Sequence, residues 1–224
     1  MIVAIDGPAG AGKSTVARAV AHRIGAGYLD TGALYRAVTL TVLREGTAPH
    51  DDAGCAAAAL EMDVALIPHE SGLLVRLAGR DVTDDIRSPE VTDAVSAVSA
   101  HPGVRRAVTE ASRRIMSRGD WVSDGRDVGT VIVPDAAVKV FLTAEPTERA
   151  RRRVADLRHR GRSADPAAVL DDIRRRDHLD STRADSPLRQ ADDAAVIDST
   201  DLTPDQVVHA IVRLVDAARQ EARA

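Results

Sequence analysis

The run Ile2-Val3-Ala4-Ile5-Asp6-Gly7-Pro8-Ala9-Gly10-Ala11-Gly12-Lys13-Ser14-Thr15 decides the fold. Ile2 to Ile5 reads as a buried strand, which breaks into glycines and resumes as a helical pattern through Val16, Val20 and Ile24. The spacing from Gly7 to Gly12-Lys13-Ser14 is that of a P-loop, in the strand-turn-helix context that gives the motif meaning. Glycines let the backbone curl so that successive N–H groups point inward, and the helix adds its positive end to the same anion. Residues Gly7, Pro8, Ala9, Gly10, Ala11, Gly12, Lys13, Ser14 and Thr15 thus form a candidate triphosphate cradle. Lys13 reaches for the β- and γ-phosphates, and the Ser14 hydroxyl is the candidate magnesium ligand. A plain glycine-rich turn explains the glycines but not the lysine and hydroxyl that follow them.

The rest of the 224-residue chain suits one core with room for an insertion. A net charge of -4 argues against a general nucleic-acid binder. Cys55 is the single cysteine, so neither an internal disulfide nor a cysteine zinc site is available. No apolar run approaches the roughly 20 residues of a membrane span, and no basic leader precedes the first strand. A reduced, cytoplasmic protein without membrane or nucleic-acid partners is expected, with a monomer as the default.

Outward from the opening run, strand and helix signals alternate. Gly27 to Asp30 is a short strand, and Thr31 is placed to cap the next helix. A helix follows from about Ala53 to Leu60. Then Val64–Ile67, Leu73–Leu77 and Arg80–Val82, separated by Ser71-Gly72 and Ala78-Gly79, read as an antiparallel meander. Helices open at Ser88-Pro89 and Pro102. Trp121–Ser123, Ala137–Leu142 and Ala194–Asp198 complete five strands for a parallel, doubly wound α/β sheet, and Thr203-Pro204 starts the closing helix. The expected division is a core of residues 1–52 and 101–224, with 53–100 inserted.

Sheets of this kind bind ligands beyond the carboxyl ends of their strands. Asp30 to Arg36 and Asp124 to Asp127 fall there, and each brings an arginine whose fork matches two phosphate oxygens. Taken singly, Arg36 or Arg126 could equally be a surface partner of a nearby aspartate. Between residues 145 and 190 arginines outnumber acids, which a solvated helix with i, i+4 pairs would also explain. Phosphoryl transfer between two anions needs positive charge over the γ-phosphate, and Arg149, Arg152 and Arg153 are the candidates, with Arg158, Arg160 and Arg162 behind them.

These segments resemble the bacterial cytidylate kinases, of the nucleoside monophosphate kinase group. The matching stretches are Ile5–Lys13, Asp30–Arg36, Asp124–Thr130, Pro134–Ala136, Glu148–Arg153 and Arg176–Arg183, in order along nearly the whole chain. The resemblance implies ATP- and magnesium-dependent phosphorylation of CMP and dCMP. It implies that Arg36, Arg126 and Arg183 hold the acceptor phosphate with Thr31 nearby, and that Arg176 and Asp180 contact the sugar. Ser96, Arg105 and Asp127 would read the cytosine. Lys13, Arg126, Arg153 and Arg183 would act in catalysis. It further implies that residues 53–100 are the monophosphate-binding subdomain and that residues 146–165 are a helical lid. Two rivals exist. A GTPase switch needs a guanine-reading lysine before x-Asp, which Lys139-Val140-Phe141 does not supply. A kinase of another small acceptor, such as shikimate, leaves the Ser96, Arg105 and Asp127 set without a purpose.

Overall fold

In a computed structural model, residues 1–69, 72–159, 161 and 163–223 are described. Ser71 of the expected turn, and Arg160 and Arg162 of the arginine-rich stretch, lie outside them. The chain forms two compact units, Met1–Gly27 with Asp120–Ala224, and Tyr28–Gly119.

The first unit is built on β1 (Ile2–Asp6), whose Val3 and Ile5 are completely buried. It pairs in parallel with β6 (Trp121–Gly125) and β7 (Val138–Thr143), and β7 pairs in parallel with β8 (Ala195–Asp198). The five-stranded sheet has the order β2-β6-β1-β7-β8, where β2 is Gly27–Asp30. Consecutive connections therefore run to opposite sides of β1, and the crevice of such a sheet opens at the carboxyl end of that strand. α1 (Lys13–Ile24) and α8 (Pro204–Glu221) pack together, as do α6 (Pro146–His159) and α7 (Pro166–Thr182). Thr203 and Gln206 form a reciprocal capping box at α8, as the Thr203-Pro204 signal predicts.

The second unit holds α2 (Thr31–Arg44), α3 (Asp52–Leu60), α4 (Pro89–Val98) and α5 (Pro102–Ile115). It also carries the antiparallel meander β3 (Val64–His69), β4 (Gly72–Leu77) and β5 (Arg80–Asp81). Val75 and Val82 from the meander bury against Ala33, Ala37 and Leu40 of α2 and Val91 of α4, giving this unit its own core. One cap differs from expectation. Asp30 caps α2, its Oδ1 accepting from the Ala33 amide at 3.0 Å, and Thr31 is already the first helical residue. An ionised carboxylate opposes the helix dipole better than a hydroxyl does, which favours the aspartate.

Candidate active site

The turn from β1 to α1 forces the backbone into conformations that only glycine adopts easily. Gly7 has φ 153°, and a Cβ there would lie 2.0 Å from the Leu142 carbonyl oxygen. Gly12 sits at φ 90° as the residue before α1, and no side chain caps that helix. The first turn itself contains no acidic residue, and its amides are open to an anion. Lys13 is buried, and its ammonium donates to the Pro8 carbonyl at 2.8 Å, folding the side chain back along the loop. Burial, reinforced by Arg126, pushes its pKa down to about 7 against the pull of Asp124, Asp6 and Asp180.

The Ser14 hydroxyl donates to Asp124 Oδ2 at 2.9 Å, bringing two hard oxygen ligands together at the start of the helix. That donor set fits a magnesium ion held by one or two protein oxygens and completed by phosphate and water. The strand signal ending at Ser123 is two residues too short, since β6 continues through Asp124 and Gly125. The extension is what sets Asp124 opposite Ile5 in register, beside the loop.

Beyond β6 the chain makes a π-helical turn, Val128–Ile132, which no sequence signal indicated. The buried Asp6 carboxylate accepts from Val128 N at 2.8 Å and Gly129 N at 2.7 Å. Desolvation raises its pKa to about 6 despite those amides and Lys13.

Arg126, Asp127, Arg176, Asp180 and Arg183 cluster in the same unit. Arg126 Nε donates to Asp180 Oδ2 at 2.8 Å. Arg183 lies 3.6 Å from Asp180 Oδ1 and 3.8 Å from Asp127 Oδ1, and its Nε and Nη2 both donate to the Ser186 carbonyl. Burial disfavours the Arg126 charge, but Asp180, Asp124 and Asp177 outweigh it and raise its pKa. For Arg176 burial and Arg126 prevail and lower it, and its buried Nε has no hydrogen-bond partner among the described residues. Asp180 thus pairs with both Arg126 and Arg183.

The lid candidates separate. Arg149 is buried: its Nε donates to Ala144 O at 2.8 Å, and its Nη1 donates to Ala9 O at 3.0 Å and pairs with Asp177 at 2.7 Å. It braces the loop to α7. Arg152 lies along Gly12 and donates to Ser199 Oγ and Ser199 O. Arg153 pairs with Asp156 one turn along α6, 39% exposed.

In the second unit, Arg36 donates to Ile86 O at 3.1 Å and Thr92 Oγ1 at 3.0 Å. Thr31 is buried at the start of α2. The Arg105 guanidinium donates to Ser99 O at 3.1 Å and lies over the Tyr35 ring, 5.2 Å from its centre. Ser96 is half-buried on α4, its carbonyl accepting from Ser99. Sequence reasoning left Asp6, Tyr35 and Asp177 without a role. The only signal for Asp6 is an acid closing an otherwise apolar strand.

Comparison with known proteins is decisive at this point, because the cytidylate kinase family matches residues 3–217. The chain belongs to the cytidylate kinase family. A cytidylate kinase of Corynebacterium glutamicum is 48% identical over 221 residues, 98% of this chain and 96% of that one. A bifunctional pantoate ligase/cytidylate kinase of Prochlorococcus marinus is 51% identical over 215 residues, 95% of this chain. The chain spans only 43% of that longer relative. Among solved structures, an uncharacterized protein from Eubacterium ventriosum superposes with a TM-score of 0.53 at 13% identity, over 96% of this chain and 98% of that one. That likeness concerns the fold alone. No helix among the described residues is long and apolar enough to cross a membrane.

Proposed function

We propose that the protein transfers the γ-phosphoryl group of ATP to CMP or dCMP, giving ADP and CDP or dCDP, in cytoplasmic pyrimidine nucleotide metabolism. The observation that carries this reading is a P-loop with an uncapped helix and a buried lysine, in one unit with guanidinium groups gathered around Asp180. The loop amides of Gly7 to Thr15 and Lys13 hold the donor triphosphate. Ser14 and Asp124 would hold magnesium, which would offset the negative charge of the phosphates. Arg36, Arg126 and Arg183, with Thr31, are assigned to the acceptor phosphate, and Arg176 and Asp180 to the sugar.

No general base is needed, since the attacking phosphate oxygen is already ionised at neutral pH. Catalysis is then alignment plus charge stabilisation. Arg153, on the lid of residues 146–165, adds charge on closure by exchanging Asp156 for phosphate. Residues 53–100 act as the monophosphate-binding subdomain of a monomer that engages neither nucleic acid nor membrane. A coupled assay with CMP, dCMP, UMP, AMP and shikimate tests the reading. No CDP from CMP would end it, and GTP hydrolysis without an acceptor would favour a switch.

Base choice is assigned to Ser96, Arg105 and Asp127. A carboxylate accepts from the cytosine N4 amine, whereas uracil offers an oxygen there and leaves two acceptors facing each other. Asp127→Asn should therefore lose far more kcat/KM with CMP than with UMP, by about tenfold or more. Equal losses on the two substrates would remove Asp127 from base reading.

Lys13 gives a pH signature. Its pKa is about 7 without ligand, and a bound triphosphate must raise it. ATP binding therefore takes up a proton above that pH, and ATP affinity should fall by up to about tenfold per pH unit from roughly pH 7.5 to 9. Titration calorimetry in buffers of different ionisation enthalpy counts the proton. A pH-independent Kd would show that Lys13 is already fully charged in the free protein.

A further inference from the structure

Asp6 stands directly before the donor loop, yet its carboxylate points across β1 to the turn after β6. Its backbone pairs with Gly125, the last residue of that strand, and with Phe141 on β7. Its side chain takes the amides of Val128 and Gly129. Between Gly125 and Val128 lie only Arg126 and Asp127. One residue therefore fastens both ends of that dipeptide, by ladder register on one side and by carboxylate on the other. Asp6 itself cannot drift. Gly7 beside it is wedged against the Leu142 carbonyl, and β1 is flanked by strands on both sides. The clamped turn is seated too: a Cβ on Gly129 would come within 3.2 Å of the Lys139 side chain and 3.4 Å of Ala4 Cβ. The Asp127 carbonyl closes the turn by accepting from Val131 at 2.9 Å and Ile132 at 3.1 Å.

We infer that Asp6 is a positioning residue for acceptor recognition, fixing the Arg126 fork and the Asp127 carboxylate through the two amides that follow them. The inference rests on the acceptor roles proposed above for those two residues. The two amides go to separate oxygens, Oδ1 and Oδ2, and an ionised carboxylate offers both as acceptors from one side chain. Asparagine presents one oxygen and one NH2 group, so one amide would face another donor and the turn would shift to relieve it. A misplacement of about 1 Å at a substrate-holding group is enough to cost activity.

Asp6→Asn and Asp127→Asn, assayed side by side with CMP, UMP and ATP, test the idea. For Asp6→Asn, KM for CMP should rise about tenfold and the CMP-over-UMP preference should fall, with KM for ATP changed by less than about twofold. An equal rise in KM for ATP, or an intact preference where Asp127→Asn abolishes it, would overturn the inference, because Asp6 would then serve the donor loop or stability alone. If Asp127→Asn leaves base preference unchanged while Asp6→Asn still raises KM for CMP only, base reading by Asp127 fails and positioning of Arg126 stands. Should Asp6→Asn not fold, Asp6→Glu keeps both oxygens displaced by one methylene, and the same KM pattern decides.

Discussion

Replacing Lys13 by methionine is expected to lower kcat by about 10²–10³ and, at the same time, to raise the melting temperature of the nucleotide-free protein. The two effects have one origin. An ammonium is held in a buried site for a ligand that is absent from the free protein, and the burial is the largest cause lowering its pKa from 10.5 to about 7. A base whose folded pKa lies below its unfolded value weakens the fold wherever the unfolded chain would be protonated. That penalty is complete below about pH 7 and fades as pH rises towards 10.5. Methionine keeps the length of the side chain and removes the charge, forfeiting one hydrogen bond to Pro8 O. The melting temperature should rise by roughly 2–4 °C per kcal/mol gained, most at pH 7 and not at all near pH 10.5. ATP should then stabilise the variant less than the parent. Differential scanning calorimetry at those two pH values checks this, and a lower melting temperature at pH 7 would mean that the lysine is a net structural contributor.

The same residue shows what a sequence makes readable. The donor loop was legible because its constraints are local: glycine conformations, a strand before and a helix after all fall within fifteen residues. The parallel sheet followed from alternating signals, and the meander from short β runs between turns. What was not legible depends on residues far apart in the chain. Asp6 meets Val128 and Gly129 only because β1 and β6 pair, and the π-helical turn after β6 has no periodicity to detect. Arg149 was one arginine in a basic stretch, and only tertiary packing ties it to Ala9 of the donor loop and Asp177 of α7. The Asp30 cap was missed for a narrower reason. Adjacent Asp30 and Thr31 can both cap, and the backbone settles which of them is the residue outside the helix.

Loss of the Arg126 fork should be nearly as damaging as loss of Lys13, but on the acceptor side. Arg126→Met is expected to reduce kcat/KM for CMP by about 10²–10³-fold, leaving KM for ATP close to that of the parent. Lysine at this position keeps the charge without the planar fork, so it should recover only a small part of the loss. The substitution also changes the response to acid, and here the sign can be worked out. Burial raises the pKa of Asp180, yet Arg126 first, then Arg183 and Arg176, bring it below 3.8. An acid with a depressed folded pKa adds stability above its unfolded value, which is lost as pH falls through the folded one. Without Arg126 the depression shrinks, while Arg183 at 3.6 Å still pairs with the carboxylate. The variant should fold at pH 7 and unfold at a higher pH than the parent on acid titration. Coincident acid transitions, combined with the kinetic loss, would mean that Arg183 and Arg176 alone hold Asp180 ionised and that Arg126 is there for the substrate.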